Sequence, residues 1–162
     1  MSITSIVSVM DKLSSLHESL LALSKEKTDM LKEGDSKALQ TLLVKERKHI
    51  QAITQIENER SALVADWFHQ QGLKEEPTIS AMLEHLSEHE QAPLTDAYER
   101  LVSALTALKQ QEELNKELTH QSLQFIELSL DMLQPSMKNM NYSSPGAAQQ
   151  EGASRSVFDS KA

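Results

Sequence analysis

Residues 3–32, ITSIVSVMDKLSSLHESLLALSKEKTDMLK, decide the fold. Apolar side chains recur at Ile6, Val9, Leu13, Leu16, Leu20 and Leu23, and Lys27 and Met30 follow in the same phase. The steps alternate between three and four, which brings successive side chains to one face of an α-helix and lets it lie along other helices. A strand needs a step of two, and no run of that kind stands out. The stretch stops at Gly34-Asp35. Glycine accepts the left-handed turn that closes a helix, and Asp35 or Ser36 carries an oxygen that can cap the next one.

Working outward, a second segment over residues 36–71 keeps the spacing with Leu39, Leu42, Ile53, Ile56, Leu63 and Trp67, while Glu46, His49 and Arg60 share the stripe. Residues 72–77 read as a loop. A short helix is expected over residues 78–90, with Thr78 as its cap and Ile79, Met82, Leu83 and Leu86 on one side. Pro93 is expected to open a last helix in its first turn, running to Leu133, with Pro135 ending it. The fold expected is therefore all-α: an elongated antiparallel bundle of three long helices and one short one over residues 1–134. Residues 135–162, rich in Ser, Asn, Gln, Ala and Gly, are expected to be a flexible tail, interrupted by Tyr142 and by the terminal run RSVFDSKA.

The composition agrees. Hydrophobic residues make up 39% of the 162, enough for a core, whereas aromatics are only 4% against 23 leucines, which points to helical leucine seams rather than sheets. Sixteen basic and 24 acidic residues give a formal charge of −8, the wrong sign for displacing counterions from nucleic-acid phosphates or for an anionic membrane surface. Without cysteine there are no disulfides, thiolate metal sites or cysteine nucleophiles. No apolar run approaches the ~20 residues that span a bilayer, and no basic segment precedes the first apolar residues. A cytoplasmic protein without membrane insertion is expected.

The one enzyme-like motif is His85-Leu86-Ser87-Glu88-His89. Histidines at i and i+4 of a helix share a face and can hold zinc beside a glutamate base. Here the motif sits in a short helix with no visible third ligand and no walls for a substrate cleft, so no metal site is assigned. Phosphate loops and nucleophile elbows are absent, and the carboxylates lie among lysines on helix faces, where pairing and solvation explain them. Neither an enzyme nor a cofactor is expected.

One stretch departs from the amphipathic norm. Seven of the eleven residues 123–133 are apolar. At ~100° per residue, Leu123, Ile126, Leu130 and Leu133 fall on one side of the helix. Phe125, Leu128 and Met132 fall nearly opposite, and Leu114 and Leu118 extend that second stripe toward the N-terminus. A bundle helix ordinarily buries one stripe, so one of the two is expected to face inward. The other is either covered core or a docking surface for an amphipathic partner helix.

Finally, the order of several short runs resembles a known family. Gly34-Asp35-Ser36-Lys37-Ala38-Leu39, then Lys45-Glu46, then Ile56-Glu57-Asn58-Glu59-Arg60, are similar to the N-terminal half of FlgN-type flagellar export chaperones. Asn115-Lys116-Glu117-Leu118-Thr119, Leu123-Gln124-Phe125-Ile126 and Asp131-Met132-Leu133 are similar to their C-terminal half. Asn141-Tyr142-Ser143 and the ending Phe158-Asp159-Ser160-Lys161-Ala162 resemble the bacillus-type members. The resemblance implies a cytoplasmic chaperone that binds the C-terminal helical segments of the hook-filament junction proteins FlgK and FlgL. It would prevent their premature assembly and aid delivery to the export gate protein FlhA. Client binding in the C-terminal part selects Leu114, Leu118, Phe125, Leu128 and Met132, and gate docking selects Tyr142. The competing expectation is a self-associating scaffold or adaptor in which the second stripe is a homodimer seam.

Overall fold

The structure, a computed structural model, describes residues 2–142, with side chains through residue 133. Four helices follow one another: α1 (Ile3–Glu33), α2 (Ser36–Gln71), α3 (Ile79–Glu84) and α4 (Glu88–Tyr142). No strand occurs among the described residues. The all-α bundle of three long helices and a short one is thus the observed architecture. The chain divides into two units, Met1–Thr119 and His120–Ala162, and α4 contributes residues 88–119 to the first.

Local signals set most of the boundaries. Ser2 caps α1, its hydroxyl accepting from the Thr4 N–H at 3.2 Å. Gly34 ends that helix in the left-handed region at φ 72°, donating its N–H to the Met30 carbonyl at 2.9 Å. Asp35 caps α2 by accepting from the Ala38 N–H at 3.0 Å, and Thr78 caps α3 by accepting from the Ala81 N–H at 3.1 Å.

Three boundaries differ from the sequence expectation. The short helix stops at Glu84 rather than residue 90, with His85 as its C-cap. The last helix begins at Glu88, five residues before Pro93. Ser87 accounts for both: its N–H and hydroxyl reach Glu90 Oε2 at 3.3 and 2.7 Å, so the residue starts a new helix instead of continuing the old one. Gln91 secures the corner by donating through Nε2 to the carbonyls of Leu83 at 3.0 Å and Leu86 at 2.9 Å. At the other end α4 passes through Pro135 and runs to Tyr142. A proline inside a helix removes one hydrogen bond and crowds one carbonyl, and a helix established on both sides can carry that cost. Residues 143–162, most of the expected tail, lie outside the described residues.

Within the first unit the helices run up, down and up. Ile6 shares a core with Val64, Trp67 and Phe68, while Lys27 meets Glu46, so α2 is antiparallel to α1. Glu18 meets Arg100 and Ser24 meets Glu112, so α4 is parallel to α1. The α1 helix is therefore covered from two sides. That explains why its buried set, Ile6, Val9, Met10, Leu13, Ser14, His17, Leu20, Ser24 and Thr28, is broader than a single seam. Leu16, Leu23, Lys27 and Met30 of the expected seam are only half-buried.

The apolar core concentrates at one end. Ile6 and Met10 meet Val64, Trp67 and Phe68 of α2, Ile79 and Met82 of α3, Leu86 of the corner, and Leu94 and Ala97 of α4. The Trp67 and Phe68 rings pack edge to face with centroids 5.2 Å apart, a geometry that adds to plain area burial. Although α3 is too short to hold together alone, it is pinned by Ile79 and the fully buried Met82. Met82→Ala is therefore expected to lower the unfolding free energy by about 2–4 kcal/mol, the cost of an unfilled core site, measured as a fall in denaturant midpoint at constant slope.

Candidate functional site

Away from the apolar end, the three long helices are joined by polar contacts. Lys27 of α1 places its ammonium 2.7 Å from Glu46 Oε1 on α2 and 3.0 Å from Glu112 Oε2 on α4. Ser24 donates to Glu112 Oε1 at 2.7 Å. Asn115, 2% exposed, donates through Nδ2 to the Ser24 carbonyl and hydroxyl at 2.8 and 3.0 Å. Its Oδ1 lies 2.5 Å from the Thr28 hydroxyl, which also accepts from Gln111 Nε2 at 2.5 Å. Burial by itself would lower the Lys27 pKa. Hydrogen bonds and charge from Glu46 and Glu112 outweigh it and hold the ammonium above lysine's ordinary value. Nearer the apolar end, Arg100 of α4 grips Glu18 of α1 at 3.0 Å through both Nε and Nη2. Those hydrogen bonds hold the Glu18 carboxyl below the usual range. These contacts fix the phase of α4 along α1 as far as Asn115.

Further along α4 the side chains change character. In the second unit Leu123, Phe125, Ile126, Leu128, Leu130, Met132 and Leu133 are all exposed. Phe125 and Met132 keep 70% and 71% of their surface, and the opposite stripe keeps between 52% and 58%. The expectation that one stripe would face inward fails: a single helix has no neighbour among the described residues of its unit, so both stripes stand out as ridges. Of the other candidates, Leu114 is exposed and Leu118 half-buried in the first unit. Tyr142 is the last helical residue, and its side chain lies outside those described.

Apolar surface that the spacing does not mark lies on the first unit, where Leu43, Val44 and Ile50 of α2 and Val102 and Leu105 of α4 are exposed. Their spacing is ordinary, and only the placement of the helices reveals which of them no neighbour covers.

The histidine motif is not assembled as a metal site requires. His85 closes α3, pairs through Nε2 with Glu75, and sets its ring edge-on to Phe68 at 6.5 Å between centroids. His89 lies across the Leu86-Ser87 corner in the first turn of α4. The two are thus not one turn apart on a shared helix. No group of three or more histidines and carboxylates that could hold a metal ion occurs among the described residues.

The three long helices and the short one make this an all-α bundle protein, and its last helix also carries exposed apolar side chains. The FlgN family model, described as FlgN protein, matches residues 1–150. The chain belongs to the FlgN family of flagellar export chaperones. It is also similar to the uncharacterized protein YvyG of Bacillus subtilis (strain 168), with 43% identity over 163 residues and 100% of both chains covered. No solved structure matches it. Among the described residues no helix is long and apolar enough to cross a membrane.

Two outcomes follow from this geometry. Lys27→Met leaves Glu46 buried without its counter-charge and is expected to cost about 3 kcal/mol, most of it recovered in Lys27→Met/Glu46→Leu. Because the folded Lys27 pKa is raised, its contribution is complete below the unfolded value of about 10.4 and is lost as pH rises through the folded one. The loss of stability of the native protein above that pH should therefore be smaller in the double variant, read from thermal midpoints across an alkaline series. By contrast, Phe125→Ser and Met132→Ser, at sites already in water, should shift stability by no more than about 0.5 kcal/mol.

Proposed function

We propose that this chaperone captures the C-terminal helical segments of the junction proteins FlgK and FlgL on the apolar ridge of α4, with Phe125, Leu128 and Met132 as anchors. Leu114 and Leu118, earlier in α4, are assigned the same role by the family resemblance. The observation that carries the reading is the exposure of Phe125, Leu128 and Met132 on α4, which keep 60% to 71% of their surface in water. Burying one such side chain fully against a partner contributes roughly 1.5–3 kcal/mol. Ordering an unfolded client segment offsets part of that gain. The balance is a complex that holds a client and releases it without nucleotide chemistry.

In this reading the client's apolar stripe, which would otherwise pack against neighbouring subunits, is covered until export, and assembly is delayed in the cytoplasm. Delivery to the gate protein FlhA is the next step, with Tyr142 as the docking residue. The test is co-purification of the full chain with the C-terminal segments of FlgK and FlgL. Wild type should retain them. Phe125→Ser/Met132→Ser should lose at least tenfold in affinity while keeping its helical signal and thermal midpoint. Equal capture by the variant would place the client elsewhere.

A further inference from the structure

The two apolar ridges of segment 123–133 are separated unevenly. At ~100° per residue its seven apolar side chains lie in one band of about 220°, running from Leu128 through Phe125 and Ile126 to Leu123. Ser129 is the one polar residue inside that band, half-buried, its hydroxyl donating to the Phe125 carbonyl at 2.8 Å. Gln124, Glu127 and Asp131 all fall in the remaining arc and are exposed. A helix resting on one neighbour uses a stripe about 100° wide. In this molecule α1, enclosed between two helices, buries residues over an arc of about 140°. The band on α4 is wider than either.

We infer that segment 123–133 docks in the crevice between two helices of one client, leaving the edge at Glu127 and Asp131 toward water. The inference rests on the client reading and gives the client its form. One client helix covers Phe125, Leu128 and Met132, and the second covers Leu123, Ile126 and Leu130. Besides the width of the band, two observations select such an occupant. Ser129 lies at the middle of the band, where the seam between two covering helices falls. A small side chain leaves room there for their close approach. Its hydroxyl already donates to Phe125, so it can be enclosed without losing a hydrogen bond to water. The uncovered edge is acidic, because residues 120–133 contain Glu127 and Asp131 and no lysine or arginine. The client helices flank that edge from either side, and their margins there carry lysine or arginine.

The chain has no cysteine, so Leu128→Cys, Leu130→Cys and Glu127→Cys each report one side of α4 by their rate of alkylation with a maleimide. Leu128 and Leu130 are 60% and 56% exposed, which makes their rates without client comparable. A saturating C-terminal segment of FlgK should slow alkylation at least tenfold at both leucine positions and less than twofold at Glu127→Cys. Protection at Leu128→Cys alone means one helix on one stripe, and overturns the inference while the client reading stands. Protection at Leu130→Cys without client, growing with protein concentration, means a second copy on that stripe and also overturns it. A wild-type chain that fails to retain the segment overturns the client reading itself, and the inference with it.

Affinity for the same segment gives a second measurement. Ile126→Ser/Leu130→Ser should weaken binding at least tenfold, the scale of lost interface anchors, with the thermal midpoint unchanged. Ser129→Leu should weaken it by crowding the seam, whereas Ser129→Ala should not. Binding that ignores both Ile126→Ser/Leu130→Ser and Ser129→Leu overturns the inference. Glu127→Lys/Asp131→Lys should weaken binding at low salt and less at high salt, since added ions screen exposed charges. An affinity unchanged by that reversal overturns the basic margins of the client.

Discussion

The double coverage of α1 governs the arrangement. A helix flanked by one neighbour needs one apolar stripe, but α1 lies between α2 and α4, so residues that would face solvent in a hairpin are enclosed. Ser24, Thr28 and Lys27 fall in that zone, and each must find a partner because an unpaired buried polar group costs about 1–3 kcal/mol. Glu46, Glu112, Gln111 and Asn115 supply those partners from the two flanking helices. The same network that satisfies α1 therefore fixes the axial phase of α4, since sliding by one turn would strand several donors at once.

The bundle consequently has two kinds of interior. At the α3 end, aromatic and aliphatic side chains close a dry core around Met82 and Phe68. Toward the α1–α2 turn, Leu20 and Leu42 remain buried alongside hydrogen bonds and ion pairs, whose net contribution per contact is small but whose geometry is specific. Of the apolar residues beyond Asn115, only Leu118 is half-buried among the described residues. Leu123 to Leu133 are instead left in water, which a protein tolerates where a partner is to cover them.

Several boundaries were legible because they rest on nearest-neighbour chemistry. Gly34, Asp35 and Thr78 act where their backbone and side chains predict, with left-handed closure or an accepted N–H. Prolines misled. Pro93 and Pro135 were read as limits, yet α4 begins earlier at the Ser87 cap and passes through both. Ser87-Glu88-His89-Glu90 carried a capping signature that the histidine motif obscured. The buried polar residues were missed for another reason. Their three-four spacing marks a second helical face, but only a third helix against that face makes it interior. The family likeness marked the apolar stripe of α4 but not its counterpart on the other side, nor the exposed Val102 and Leu105.

Local pattern alone thus determined the helical class, the long-short alternation, most caps and the location of unusually apolar sequence, because each depends on residues within a turn or two. Tertiary structure decided which helix is central, which polar side chains are enclosed and paired, and which leucines remain in water. Burial is a property of neighbours distant in the chain. The same Ser24 that is unremarkable on an isolated helix becomes a structural donor once Glu112, 88 residues away, is brought against it.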